Sequence, residues 1–158
     1  LSNLFFPNHL MRKKWLISLM MRELNRNVFE TEMQVRPDDL DMFRHVHSSK
    51  YIDYVLAARY HQMEHFYKMP MQEFLTNNYG WVIKNALINY KRALTLGDVF
   101  VVKTHIIEME KTDVKVGFEI VNTKQKPCCE GEFTYTLINI STGRSETIPQ
   151  WVIERFSA

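Results

Sequence analysis

Within a dozen residues, Asp39-Leu-Asp-Met-Phe-Arg-His-Val-His-Ser-Ser-Lys-Tyr51 gathers two carboxylates, two imidazoles and two hydroxyls. Ser48-Ser49 closes the segment just ahead of a helical pattern, and serine is a favoured N-cap. A helix N-terminus offers unpaired backbone N–H groups and a partial positive charge. A carboxylate placed just before such donors can act on a polarised carbonyl. The competing role for Asp39 and Asp41 is structural, because short carboxylates readily bind the amides of their own loop.

The elements that must hold this segment follow from hydrophobic spacing. Residues 28–35 read as a strand that Pro37 ends or places at a sheet edge. Residues 49–68 carry Ile52, Val55, Leu56, Met63 and Phe66 along one helical face. Pro70 follows, with a short helical turn over residues 71–75. From Tyr79 the period drops to two, giving strands at 81–91, 99–109, 114–121 and 128–140. Turns fall at Gly97-Asp98, Lys111-Thr112-Asp113, residues 123–127 and Ser141-Thr142-Gly143. A short tail, residues 150–156, closes the chain. One long helix followed by sequential hairpin strands specifies an α+β fold, one helix against one antiparallel sheet. The uncovered face and edges of such a sheet call for a partner, so a homodimer or homotetramer is expected.

Composition narrows the function. The 158 residues suit one domain, organised as an arm (1–26, helical by its spacing) and a core domain (27–158). A net charge of +2 argues against nucleic acid as a partner. Cys128 and Cys129 are adjacent, which gives no disulfide framework and fits a reducing, cytoplasmic setting. Alternation along a strand sends one to the core and one to the surface. No apolar run reaches membrane-span length. In the arm, Arg12-Lys13-Lys14 before an apolar run mimics a signal peptide, but Arg22-Glu23 follows where a cleavage site would lie. Trp15, Leu16, Leu19, Met20 and Leu24 recur at helical spacing, as in an amphipathic helix that packs on the domain or touches a membrane surface weakly. His61-Gln-Met-Glu64-His65 matches a zinc-peptidase pattern, and His45-x-His47 lacks a third ligand. Both read as chance, so no metal is expected.

Three stretches, in order, carry a more specific signal. Arg36, Asp39, Asp41, His45-Val46 and Tyr51 resemble the Arg-x-x-Asp-x-Asp-x-x-Gly-His-Val-Asn-Asn-x-x-Tyr signature of the 4-hydroxybenzoyl-CoA thioesterase-like branch of acyl-CoA thioesterases. Tyr90-Lys-Arg-Ala-Leu-Thr-Leu-Gly-Asp98 is similar to that family's lead into its middle hairpin. Asn139-Ile-Ser-Thr-Gly-Arg144 with Ile148-Pro149 is similar to its closing strand and exit. The resemblance covers residues 28–152 and implies a hot-dog fold, one long helix wrapped by about five antiparallel strands. It departs at Arg44, where the family has Gly, and at His47 and Ser48, where it has an Asn pair.

The resemblance implies hydrolysis of an acyl-CoA or acyl-carrier-protein thioester, with CoA entering as part of the substrate and no cofactor. Asp41 takes the place of the catalytic carboxylate, as nucleophile or as base for water. His45 takes that of the loop histidine, and the backbone N–H around Ser48 polarises the thioester oxygen. Arg44, His47, Tyr51, Arg59 and Arg92 are the expected substrate contacts, with Arg59, Lys91 and Arg92 offered to the CoA phosphates and Arg44 to a carboxylate or phosphate. The alternative is a non-catalytic hot-dog module that binds acyl-CoA or acts as a scaffold. A hydratase lacks its Asp-x-Asn-x-x-His signature here.

Overall fold

The computed structural model describes Leu10, Lys13 and residues 24–158. The expectations for the arm (its helix, its signal-like start and its membrane contact) fall on residues most of which lie outside those described. Leu24 is buried, and the Asn25 N–H donates to the Phe156 carbonyl at 2.8 Å, so the chain enters the domain beside its C-terminus.

Five strands form one antiparallel sheet: β1 (Phe29–Gln34), β2 (Tyr79–Tyr90), β3 (Val99–Met109), β4 (Asp113–Asn122) and β5 (Pro127–Asn139), in the order β1-β3-β4-β5-β2. Across one face runs α1 (Lys50–His65), followed by the short α2 (Met71–Thr76). This is the α+β, hot-dog arrangement expected from the sequence. The tail supplies an addition: the short closing segment forms α3 (Gln150–Ser157), which buries Val152 and Phe156.

The period-two pattern explains the sheet. In β3, Phe100, Val102, Thr104 and Ile106 face the core. The register then slips between Ile106 and Glu108, which turns Met109 inward instead of Glu108. A second slip in β2, between Ile83 and Asn85, leaves Lys84 out of the ladder. Its ammonium meets the Asp113 carboxylate on β4 at 2.9 Å.

The buried face of α1 differs from the one its apolar spacing suggested. Tyr51, Tyr54, Val55, Ala58, Arg59, Gln62 and Met63 are inside, whereas Leu56 and Phe66 are exposed. Two polar side chains therefore occupy core positions. Gln62 is satisfied there: its Nε2 donates to Thr31 Oγ1 at 3.0 Å, and its Oε1 accepts from the Thr104 hydroxyl. Tyr54, Val55, Phe100, Val102, Ile120 and Phe133 pack under the first half of α1. Met63, Tyr67, Phe74, Ile106, Val116 and Phe156 pack under the second. Burying a side chain such as Val55 stabilises the fold by ~1.5–3 kcal/mol.

Candidate active site

The loop between β1 and α1 is tied at both ends. Leu40 bridges Val46, His45 bridges Thr95, the Val46 N–H donates to the Leu94 carbonyl at 2.8 Å, and the His47 N–H donates to the Asp39 carbonyl at 2.8 Å. The loop is thus a small irregular hairpin laid against the segment between β2 and β3.

Its two carboxylates part company. Asp39 is fully buried. Its Oδ2 accepts from the Tyr54 hydroxyl at 2.6 Å and from the Arg36 N–H at 3.0 Å, and its Oδ1 lies 3.6 Å from the Arg36 guanidinium. Burial pushes this carboxyl up, but the Tyr54 and Arg36 hydrogen bonds and the nearby Arg36 and Lys50 charges outweigh it, and the group sits below the usual aspartate range. Burial and the anion beside it push the Tyr54 hydroxyl up. Asp39 is the structural member of the pair.

Asp41 is half-buried. Its Oδ1 accepts the backbone N–H groups of Phe43 at 2.8 Å and His45 at 3.3 Å, which fixes the plane of the carboxylate. Its Oδ2 has no hydrogen-bond partner among the described residues. The loop-binding role set against chemistry above thus accounts for Asp39 and for one oxygen of Asp41.

Arg44 sits at φ 62°. A glycine would reach that left-handed conformation without steric cost, whereas a side chain there costs ~1–2 kcal/mol. The loop accepts the cost because the Arg44 N–H closes the turn onto the Asp41 carbonyl at 3.1 Å. The Arg44 side chain is exposed.

The N-cap expectation needs correction. Ser49 occupies the cap position of α1 but its side chain does not cap the helix. Its hydroxyl and its N–H instead meet His47 Nδ1, at 2.8 and 3.2 Å. The Ser48 N–H makes no hydrogen bond among the described residues, while the Ser48 carbonyl accepts from the Tyr90 hydroxyl at 2.9 Å.

One surface cavity of about 370 Å³ collects Asp41, His45, His47, Ser48, Tyr51 and Arg92, together with Lys91 and Tyr90. Tyr51 is buried at its floor, with the hydroxyl accepting the Leu94 N–H at 3.2 Å and the ring edge-on to Tyr90 at 5.5 Å. Lys91 pairs with Glu130 at 2.8 Å, and Arg92 donates to the Pro127 carbonyl at 3.0 Å from an exposed position. Tyr90 is the residue that sequence reasoning did not assign to the site. Its signal, the end of an apolar strand beside Lys91-Arg92, became legible only through its hydrogen bond to Ser48.

Arg59 is not brought to this cavity. It projects from the buried face of α1 and is 7% exposed. A core guanidinium cannot double as an exposed phosphate contact, so that expectation is withdrawn.

The cysteine expectation also changes: both thiols are buried. Burial raises Cys128 and takes Cys129 up to about 12, the wrong direction for a nucleophile. His61 and His65 are exposed and stacked at 4.0 Å on the outer face of α1. No group of three or more metal-ligating side chains forms among the described residues, and no described helix is long and apolar enough to cross a membrane.

Comparison with known proteins gives the arrangement a context. Residues 35–156 match the model of the thioesterase-like superfamily. The long-chain acyl-CoA thioesterase FadM of Escherichia coli is 21% identical over 117 residues, covering 73% of this chain and 87% of that one. A Staphylococcus aureus protein solved in complex with CoA superimposes with a TM-score of 0.75 at 18% identity, covering 82% of each chain. The DHNA-CoA thioesterase of the same organism gives a TM-score of 0.73 at 17% identity, over 76% of this chain and 80% of that one.

Proposed function

The chain belongs to the thioesterase-like superfamily, and on that premise we propose that it hydrolyses an acyl-CoA or acyl-carrier-protein thioester to a free acid and a thiol. The observation that carries this reading is a complementary pair at one cavity. Among the described residues, Asp41 in the loop before α1 presents an oxygen without a hydrogen-bond partner, and Ser48, just ahead of α1, presents an N–H without one.

The chemistry follows from those two groups. The Phe43 and His45 amides hold Oδ1, so Oδ2 has a fixed direction. It either attacks the thioester carbon or takes a proton from a water that does. Negative charge then develops on the carbonyl oxygen, where the Ser48 N–H and the helix N-terminus stabilise it; one such donor is worth ~100- to 1000-fold in rate. As base, Asp41 passes the water's proton to the thiolate as the C–S bond breaks, and the hydroxide oxygen stays in the acid. As nucleophile, it forms a mixed anhydride as the thiolate leaves; water then hydrolyses the anhydride, freeing the carboxylate and supplying the thiol's proton. No cofactor enters. His45 and His47 flank the cavity, and Lys91 and Arg92 offer cations to CoA phosphates at its rim. CoA in a structural relative and acyl-CoA in the name of a sequence relative support this substrate class.

A homodimer or homotetramer is part of the reading. Among the described residues β1 and β2 are the edges of the sheet, and Val82, Ile83 and Leu87 of β2 are exposed. Two free, buried thiols suit a reducing compartment such as the cytoplasm. A non-catalytic acyl-CoA-binding module is the second reading, favoured by His47, whose Nδ1 is committed to Ser49.

The test is thiol release from a panel of acyl-CoAs, short to long and including an aromatic acyl group, with Asp41→Asn alongside. Turnover that the variant loses supports hydrolysis at Asp41. Ligand binding without turnover on any substrate, acyl-carrier thioesters included, gives the second reading.

A further inference from the structure

Under the second half of α1 lies another cavity, of about 50 Å³, that shares no residue with the one at Asp41. About 10–15 Å³ suffices for one water, so there is room for a few waters or a small polar group. Met63, Val114 and Phe156 give it apolar walls, and the half-buried Met71 and Trp81 stand where it meets the surface.

Three polar groups line it, and all three can donate. The first is Arg59. Its Nη1 donates to Thr104 Oγ1 and its Nη2 approaches the Met63 sulfur, each at 3.3 Å. Its Cζ lies 5.6 Å over the Tyr67 ring. A guanidinium carries five N–H donors, and besides these contacts it reaches the buried Tyr67 hydroxyl. No carboxylate pairs with it among the described residues. The second and third are the indole N–H of Trp81 and the hydroxyl of Tyr135, both fully buried atoms without a hydrogen-bond partner. A cation out of water without a counter-ion is costly, as is a buried donor left unpaired. Here one cation and two orphan donors meet at the same small space.

We propose that this cavity is a binding site for a carboxylate carried on a short apolar group. A carboxylate has acceptors only, matches the guanidinium fork in two parallel bonds, and brings one negative charge to one positive charge. The Trp81 and Tyr135 donors complete its oxygens, and the walls around Met63 and Phe156 take the apolar part. A phosphate monoester would bring more charge and more volume than one guanidinium in this space accommodates. The carboxylate comes either from a free acid or from the far end of a dicarboxylic acyl group.

The first experiment is thermal unfolding of the full chain in acetate, propionate and butyrate against sodium chloride at equal ionic strength, with butyramide as the neutral match. A saturable rise in Tm with at least one acid, absent with butyramide and abolished by Arg59→Met, is the expected result. If Arg59→Met does not fold, Trp81→Phe and Tyr135→Phe each remove one donor and each weakens the acid several-fold. No acid-specific shift, or an equal shift in the variants, overturns the site. The second arm compares hydrolysis of ω-carboxyl and methyl-ended acyl-CoAs of equal length. A preference for the ω-carboxyl that Arg59→Met removes assigns the site to the substrate's tail; acid binding without such a preference assigns it to a free acid. The Tm arm needs no turnover, so it decides the site even if the hydrolase reading fails.

Discussion

The Tyr54 hydroxyl donates to Asp39 Oδ2 at 2.6 Å, and this bond pins the loop that carries Asp41 to the second turn of α1. Tyr54→Phe removes the donor and leaves a buried carboxylate with one bond fewer. Hydrogen bonds to charged groups are worth ~1.5–3 kcal/mol, so a stability loss of that order is expected in urea denaturation. A loss below ~0.5 kcal/mol would show that the loop is held by its backbone bonds alone.

Asp41→Asn keeps an Oδ1 that can accept the Phe43 and His45 amides, while Oδ2 becomes an amide nitrogen that is neither nucleophile nor base. Turnover is expected to fall by ~100-fold or more, with Tm within a degree or two of wild type. Retained activity would move the chemistry to another group.

Arg44→Gly relieves the φ 62° strain of ~1–2 kcal/mol but frees the unfolded chain by ~0.5–1 kcal/mol. The expected net is a gain of about 0.5 kcal/mol in unfolding free energy, read as a higher urea midpoint. Arg44→Val, β-branched and poor in this conformation, is expected to lose stability. Equal stability of Gly and Val at this position would contradict the strain.

Asp39 and Asp113 both titrate below the ordinary aspartate value of 3.8. At Asp113 burial acts upward, and hydrogen bonds from Lys84, Thr136 and Thr112 with the Lys84 charge outweigh it. A depressed folded-state pKa means that the unfolded chain binds protons first as pH falls. The stability from these groups is therefore complete above the unfolded value near 3.8 and is lost as pH falls through the lower folded values. Urea midpoints should drop across this acid range, and Asp113→Asn should flatten part of the drop. An unchanged slope in that variant would exclude Asp113 from the linkage.

Light scattering on the eluting protein should give two or four times the chain mass of 18.9 kDa. A single-chain mass at micromolar concentration would refute the assembly proposed from the exposed apolar residues of β2.

The sequence made the sheet legible where side chains alternated cleanly, as in β4, because a strict period of two fits a half-buried strand and no helix. It was less informative on α1, where Arg59 and Gln62 occupy inward positions that an apolar count assigns to Leu56 and Phe66. Polar residues in a core become legible only when their partners, such as Thr104 from β3, are placed beside them. α3 escaped because eight residues hold barely two turns of periodicity. At the loop, residue types located the chemistry, but the division of labour between Asp39 and Asp41 depended on Tyr54, fifteen residues away in sequence. Ser49 failed as a cap for a similar reason: His47, two residues earlier, competes for its hydroxyl.

Cys128 and Cys129 are buried near the start of β5, with the Cys129 thiol held up to about 12. At neutral pH the folded chain thus shows almost no thiolate to an alkylating reagent, whereas the unfolded chain shows two ordinary ones. The pair works as an internal clock: each labelling event records a moment when the start of β5 has left its neighbours. Because Cys129 pairs with Ile120 of β4 and Tyr90 of β2, that moment is a local opening of this end of the sheet, and the labelling rate reads how often it occurs under native conditions.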